Sequence, residues 1–241
     1  MSMLILERLP EIFKKVVELV KKDEDIYPKD IWGWINDMNL EVYAKLMAGK
    51  KLLYIHGFAS SGNSGTAAEI QRLLPDTKVY SPDLPINPNE AYEMLCKLVD
   101  DEEIDVVVGT SMGGMFANLI NSVPTVLVNP SFHVSQSMRK KIGIVPFFKK
   151  RADGATEFEV TEELCDAYEK LERRQFYFFH ERDTGPTYAL FGDDDDVINC
   201  KDEYKKYYGV NYSVFHGGHR LTSDVIRQNL IPTIVEIARD K

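Results

Sequence analysis

From Lys51 onward, short apolar runs alternate with segments of helical period, and that alternation leaves few folds open. The runs are KLLYIHG, KVYSPD, DVVVG, PTVLVNP, TYALFG and NYSVFHGG. Between them the spacing predicts helices over 64–74 (stopped by Pro75), 88–100, from Met112 to about Asn121, near 202–208, and from about Thr222 to Arg239. A strand that follows a crossover helix lies parallel to its neighbour. The expected class is therefore α/β, with a mostly parallel sheet covered by helices on both faces. The strands are near-continuous apolar runs, as burial on both faces requires.

Two segments fall outside this rhythm. The interval of about 132–182 is longer than one crossover helix needs. It holds KIGIVPFFKKRADG and then the helical TEELCDAYEKLERRQF, and reads as a small cap inserted over the edge of the sheet. Residues 1–50 read as an N-terminal helical extension to a 51–241 domain. In the extension Ile12, Val16, Leu19 and Val20 fall at helical spacing behind Pro10, and a second helix is expected from about Lys29 to Ala48, ended by Gly49. Trp32 and Trp34 in this stretch are expected as packing residues, with a role in covering a pocket as the alternative.

The motif that carries chemistry is GTSMGG, Gly109 to Gly114, which follows the run DVVV directly and opens a predicted helix. A serine at the top of so sharp a turn takes a strained backbone, so the residues two before and two after must be small. Gly109 and Gly113 meet that demand. The helix that starts behind Ser111 aims N–H donors and its positive end at the place where an oxyanion would form.

Ser111 needs a base, because a serine hydroxyl is scarcely ionised at neutral pH. Downstream, TYALFG leads into Asp193-Asp194-Asp195-Asp196, and NYSVF leads into HGGHR with His216 and His219. Both lie just past the carboxyl ends of strands, where sheets of this kind gather their functional groups. His219, beyond two glycines, is the expected base, and His216 the expected structural histidine. Asp195 is the expected acid, with Asp193 the alternative; it would orient the imidazole without taking its proton. Four consecutive carboxylates also suit a divalent cation, but adjacent residues of an extended loop point apart, so no metal is expected. The oxyanion donors are expected from the backbone N–H groups of Phe58 and Met112, with His56 ordering the first loop. His133 and His180 read as surface or satisfied polar residues.

Taken in order, YIHGFASSGNSGT, YSPDLP, VVVGTSMGG, VLVNPS, FGDDDD and GGHR resemble the motifs of the YqiA-like esterases, small bacterial proteins of the α/β-hydrolase fold. The likeness runs from about Lys51 to His219. It implies hydrolysis of carboxylic esters or thioesters, on short acyl chains or acyl-CoA, by a triad of Ser111, an aspartate of the 193–196 run, and His219, with no organic cofactor. Two departures stand out: such proteins begin near the HGF strand, and their acidic motif reads GDE where this chain has four aspartates.

The formal charge of −9 opposes approach to nucleic acid or to an acidic membrane. The Lys149-Lys150-Arg151 run reads as solvated charge. Cys96, Cys165 and Cys200 make no CxxC spacing and read as reduced structural thiols. No run approaches the roughly 20 apolar residues that span a bilayer, and the MSMLILERLP start has no basic lead, so a cytoplasmic place is expected. The N-terminal helices are a candidate dimer face. The rivals to an esterase are a peptidase, lactonase or acyltransferase with the same residues, or a binding protein of the same fold that no longer turns over. HGFASSGNSG matches neither a GxGxxG nor a P-loop pattern, which weighs against a nucleotide-binding domain.

Overall fold

A computed structural model of the chain describes residues 39–120, 122–176 and 185–239, together with 14, 17 and 18. Most of the first expected helix, the first half of the second, Trp32, Trp34 and His180 lie outside the described residues.

A helix over 39–47, α1, packs Met47 fully against the sheet, with Leu40, Tyr43 and Leu46 beside it. Gly49 then turns the chain at φ +77°, the left-handed geometry that ends helices and favours glycine. The core follows as β1 (Lys51–Ile55), α2 (Gly65–Leu73), β2 (Lys78–Tyr80), α3 (Pro88–Asp101), β3 (Val106–Thr110), α4 (Met112–Ile120) and β4 (Thr125–Val128). After the longer interval come β7 (Thr187–Gly192), α7 (Lys201–Tyr208) and β8 (Tyr212–Phe215). These six strands form one sheet in the order β2-β1-β3-β4-β7-β8, every neighbouring pair parallel.

The side chains of each strand alternate between two cores. Leu53, Ile55, Val107, Leu127, Ala189 and Phe191 face α3 and α4, while Leu52, Tyr54, Val106, Val108, Val126 and Leu190 face α1, α2 and the C-terminal helix. That two-faced burial is why the strands read as unbroken apolar runs. The chain leaves β1 toward β2 on one side and returns to β3 on the other. The crevice above the carboxyl ends of β1 and β3 is therefore a topological switch point, where open sheets of this class bind ligands.

Between β4 and β7 the chain forms α5 (Val134–Met138), a 3-10 turn at Arg139–Lys141, an antiparallel hairpin of β5 (Gly143–Pro146) and β6 (Glu157–Val160), and α6 (Glu162–Glu172). The hairpin is not foreseen in the sequence, because GIVP and EFEV are four-residue strands split by a polar loop. Helix α6 is capped by Thr161, whose hydroxyl accepts the Leu164 N–H, and it buries Cys165, Tyr168 and Leu171 in the α3–α4 core.

The closing helix also departs from expectation. It is expected unbroken from 222 to 239, but it consists of α8 (Ser223–Val225), a π-helical stretch at Ile226–Leu230, and α9 (Ile231–Ala238). Pro232 explains the widening, since its ring carries no N–H and crowds the carbonyl of the preceding turn in a regular α-helix.

Tyr204 of α7 fixes the last two strands to the helix over them. Fully buried, it donates its hydroxyl to the carbonyl oxygens of Asn211 at 2.7 Å and Thr187 at 3.3 Å. Replacing Tyr204 by Phe removes a donor from both carbonyls, although Asn211 keeps the Ala189 N–H, and urea unfolding should show a loss of about 1–2 kcal/mol.

Candidate active site

Strand β3 runs straight into Ser111, whose φ of +55° is left-handed and uncommon for a side chain with a Cβ. The turn is held from three sides. The Ser111 N–H donates to the Val128 carbonyl at 3.1 Å, and the Ser111 carbonyl accepts the N–H groups of Gly114 at 2.9 Å and Ser131 at 3.0 Å. A Cβ on Gly109 would stand 2.3 Å from the Gly113 carbonyl oxygen, and one on Gly113 only 2.0 Å from the Ile55 oxygen. No real Cβ tolerates such approaches, so α4 passes over β1 at backbone distance.

Two other strand ends bring the partners. The loop after β7 places Asp195 and the loop after β8 places His219, while a Cβ on Gly192 would lie 2.3 Å from the Gly217 oxygen, so the loops touch. His219 Nε2 is 3.1 Å from Ser111 Oγ, and its Nδ1 is 2.8 Å from Asp195 Oδ2. Asp195 is itself fixed, because its Oδ1 accepts the N–H groups of Val197 at 2.9 Å and Ile198 at 3.0 Å. Its side chain is 4% exposed and that of His219 19%, so water competes little for the bond between them.

The choice among aspartates, open in the sequence, is divided by the geometry. Asp193 turns the other way: its carboxylate accepts the Gly217 N–H at 3.0 Å and meets Nδ1 of the solvent-exposed His216 at 3.2 Å. Those two bonds, the backbone one first, hold its carboxyl below the usual aspartate range. Asp193 ties the two loops together, and Asp195 reaches His219. Among the described residues no three His, Cys, Asp or Glu side chains gather as a metal cluster.

Phe58 and Met112 lie beside Ser111 along one cleft. Met112 is the first residue of α4, and first-turn N–H groups have no partner within their helix. His56, buried under the loop, pairs its Nδ1 with the Gly57 carbonyl at 2.9 Å and accepts the Leu84 N–H on Nε2 at 3.3 Å. Burial pushes its imidazole below the ordinary histidine range, so it stays neutral as a loop brace. His133 is half exposed and pairs with Glu203 at 2.8 Å.

The hairpin of β5 and β6 is laced to the loop after β1. Phe148 donates its N–H to the Ala59 carbonyl at 2.8 Å and Ser61 its hydroxyl to the Lys150 carbonyl at 3.1 Å. Asp83 accepts from Gly62 and Ala152, and the buried Arg151 donates to the Leu84 carbonyl at 3.1 Å. The Lys149-Lys150-Arg151 run is thus partly structural, against the reading of plain solvated charge. Together the loop, hairpin and α5 wall a cleft of about 1120 Å³ that Ser111 and His219 help to line. Its lining includes Lys141, Lys149 and Arg220, Arg220 lying over the Phe148 ring at 5.7 Å, against Asp196 and a Glu69 already held by Arg72.

Sequence reading passes over Asn129. It is buried at the end of β4, and its side chain reaches Gly192, Gly218 and His219. The available signal is an Asn-Pro pair closing a strand, in a segment read only as a strand end.

The model of the uncharacterised protein family UPF0227 matches residues 51–228. The chain belongs to this YqiA-like family. A UPF0227 protein of Shewanella baltica is 24% identical over 175 residues, covering 67% of this chain and 86% of that one. Est1E from Butyrivibrio proteoclasticus superposes with a TM-score of 0.55 at 12% identity, over 80% of this chain and 90% of its own. The Pyrococcus furiosus esterase Pf2001 gives 0.54 at 15%, over 81% and 84%. At such identities these likenesses establish the α/β-hydrolase fold for this UPF0227 member. No helix among the described residues is long and apolar enough to cross a membrane.

The glycines give a sharp contrast. Gly113→Ala drives a Cβ into backbone and should cost more than about 3 kcal/mol or prevent folding. Gly65→Ala, in open space on α2, should leave stability unchanged or raise it by up to about 1 kcal/mol. Urea unfolding of the two variants measures the difference.

Proposed function

We propose that the protein is a serine hydrolase that cleaves carboxylic esters or thioesters through an acyl-enzyme on Ser111. The observation that carries this reading is the continuous line from Ser111 Oγ through His219 to the buried Asp195, at 3.1 and 2.8 Å. With Nδ1–H donating to Asp195, Nε2 is left as an acceptor for the Ser111 hydroxyl proton. As Oγ attacks the acyl carbon, His219 takes that proton and Asp195 stabilises the imidazolium. The amides of Phe58 and Met112 hold the developing oxyanion. His219 then protonates the leaving oxygen or sulfur, and a water activated by the same nitrogen clears the acyl group.

The substrate is a small molecule. The three cations lining the cleft, on a chain of charge −9, favour acyl compounds with negative charge beyond the reacting carbon, and acyl-CoA thioesters are of that kind. The 132–182 segment serves as a cap on a 51–241 hydrolase domain, and Val134, Ser137, Met138, Lys141, Phe148 and Lys149 are its contribution to the cleft. Ser111, Asp195 and His219 come from a single chain, so the triad is complete without a second copy, and acyl transfer through a serine calls on no metal or organic cofactor. Free Cys96, Cys165 and Cys200 accord with a cytoplasmic place.

Labelling with a fluorophosphonate probe tests this. Wild type should react, while Ser111→Ala and His219→Ala should not. A folded wild type that stays unlabelled sinks the reading in favour of a binding protein. The acid is tested on an ester substrate: Asp195→Asn should lower kcat by about 10³–10⁴-fold. Asp193→Asn should stay within about tenfold of wild type, because its carboxylate acts only on loop backbone and an exposed histidine. Equal losses in the two would reject the assignment.

A further inference from the structure

Asn129 stands one residue past β4, between the strand end that braces Ser111 and the loops that carry Asp195 and His219. Its backbone is left-handed at φ +42°, and the residue is 3% exposed. The main chain continues the sheet ladder, its N–H donating to the Leu190 carbonyl at 2.9 Å. The amide does more. Oδ1 accepts the Gly192 N–H at 2.8 Å, while Nδ2 donates to the carbonyls of Gly218 at 3.2 Å and His219 at 3.3 Å. One planar group thus spans the ends of three neighbouring elements.

We propose that Asn129 is a positioning residue that sets the height of His219 above Ser111, a role that rests on the serine-hydrolase reading. Apolar packing does little to fix the backbone of the histidine loop. Gly217 and Gly218 have no side chains to bury, and His216 and Arg220 are exposed. The loop is located by hydrogen bonds: Asp193 and Asp194 hold Gly217, and Asn129 holds the two residues that follow. Of these, the bond to the His219 carbonyl acts on the base's own backbone, and the bond to Gly192 ties the same amide to the start of the acid's loop. Ser111 is fixed through Val128, the residue before Asn129. The nucleophile and the base are therefore referred to one short stretch of β4.

The chemistry selects asparagine. The site needs an acceptor for one N–H and a donor for two carbonyls on the same short side chain, and a residue that tolerates a left-handed backbone. Aspartate lacks the donor, serine lacks the reach, and glutamine places its amide one methylene too far.

The experiment uses Asn129→Gly and Asn129→Asp in the full chain. Glycine accepts the left-handed backbone freely and removes the amide. Aspartate keeps the acceptor but faces two carbonyls with an oxygen. On an acyl ester both should lose about 10- to 100-fold in kcat with KM held within about twofold, since misplacing the base leaves the cleft intact. Their crystal structures should show His219 Nε2 withdrawn from Ser111 Oγ beyond about 3.5 Å. If Asn129 serves only its backbone geometry, the glycine variant will keep wild-type kcat with His219 unmoved, and the proposal falls. A loss shared by kcat and KM with His219 in place also overturns it. Should the glycine variant fail to fold, the aspartate variant decides by the same readings. If wild type neither turns over esters nor takes the fluorophosphonate, the hydrolase reading fails by itself. The crystal structures still decide the placement: a displaced His219 supports it, and an undisplaced one removes it.

Discussion

The close passage of α4 over β1 is the constraint on which the rest of the molecule depends. Gly113 lies so near the Ile55 carbonyl that a single added carbon would stand 2.0 Å from it. That approach forces Ser111 into a left-handed turn, a strain of about 1–3 kcal/mol that the surrounding hydrogen bonds must hold. Val128, Gly114 and Ser131 supply those bonds, and two of them come from β4 and the turn after it. The strained serine is stable because the neighbouring strand end is built around it. In return the turn lifts Oγ clear of the sheet and sets the open N-terminus of α4 beneath it.

The same economy governs the other side of the crevice. Parallel strands bring their carboxyl ends to one edge, so the loops after β3, β4, β7 and β8 meet without any long excursion of the chain. Their meeting is polar, which is costly in a dry place unless every group is paired. Asp193, Asn129 and Asp195 pair it, each accepting backbone N–H bonds, the two aspartates meeting a histidine ring and Asn129 donating to the carbonyls of Gly218 and His219. Four successive aspartates look redundant as a string, yet 193 and 195 point opposite ways, one to hold the loops and one to face His219.

How far the sequence could be read follows from how local each cause is. The β3 run, Ser111 and the glycines around it form one contiguous signal, because the clash that demands glycine lies within the turn and the strand beside it. The parallel sheet and the burial of both its faces follow from apolar runs that burial on two sides makes unmistakable, whereas the strand order is set by long-range pairing that those runs do not encode. The order of serine, acid and histidine follows from the topology. The β5–β6 hairpin is not legible, since its strands are four residues long and its hold on the core depends on distant partners such as Asp83 and Leu84. The break in the last helix has a local cause in Pro232, but the apolar period on both sides of it reads as one unbroken helix. Asn129 is hidden for a different reason: its bonding partners lie 63 to 90 residues away and are backbone atoms, which leave no trace in the sequence.

Charge shows the same split between local and global information. A total of −9 is a statement about the far field, and a Debye length of about 8 Å at physiological salt confines what it can impose on a particular groove. Near the cleft the balance is set by residues brought there by folding. Lys141 arrives on the turn after α5, Lys149 on the hairpin loop, and Arg220 beside the histidine. Glu69, the acid that faces them from α2, is occupied by a two-bond pair with Arg72, which leaves Asp196 to oppose three cations. An anion is therefore repelled weakly at long range and met by positive charge in the cleft, on two elements, hairpin and histidine loop, that also wall Ser111.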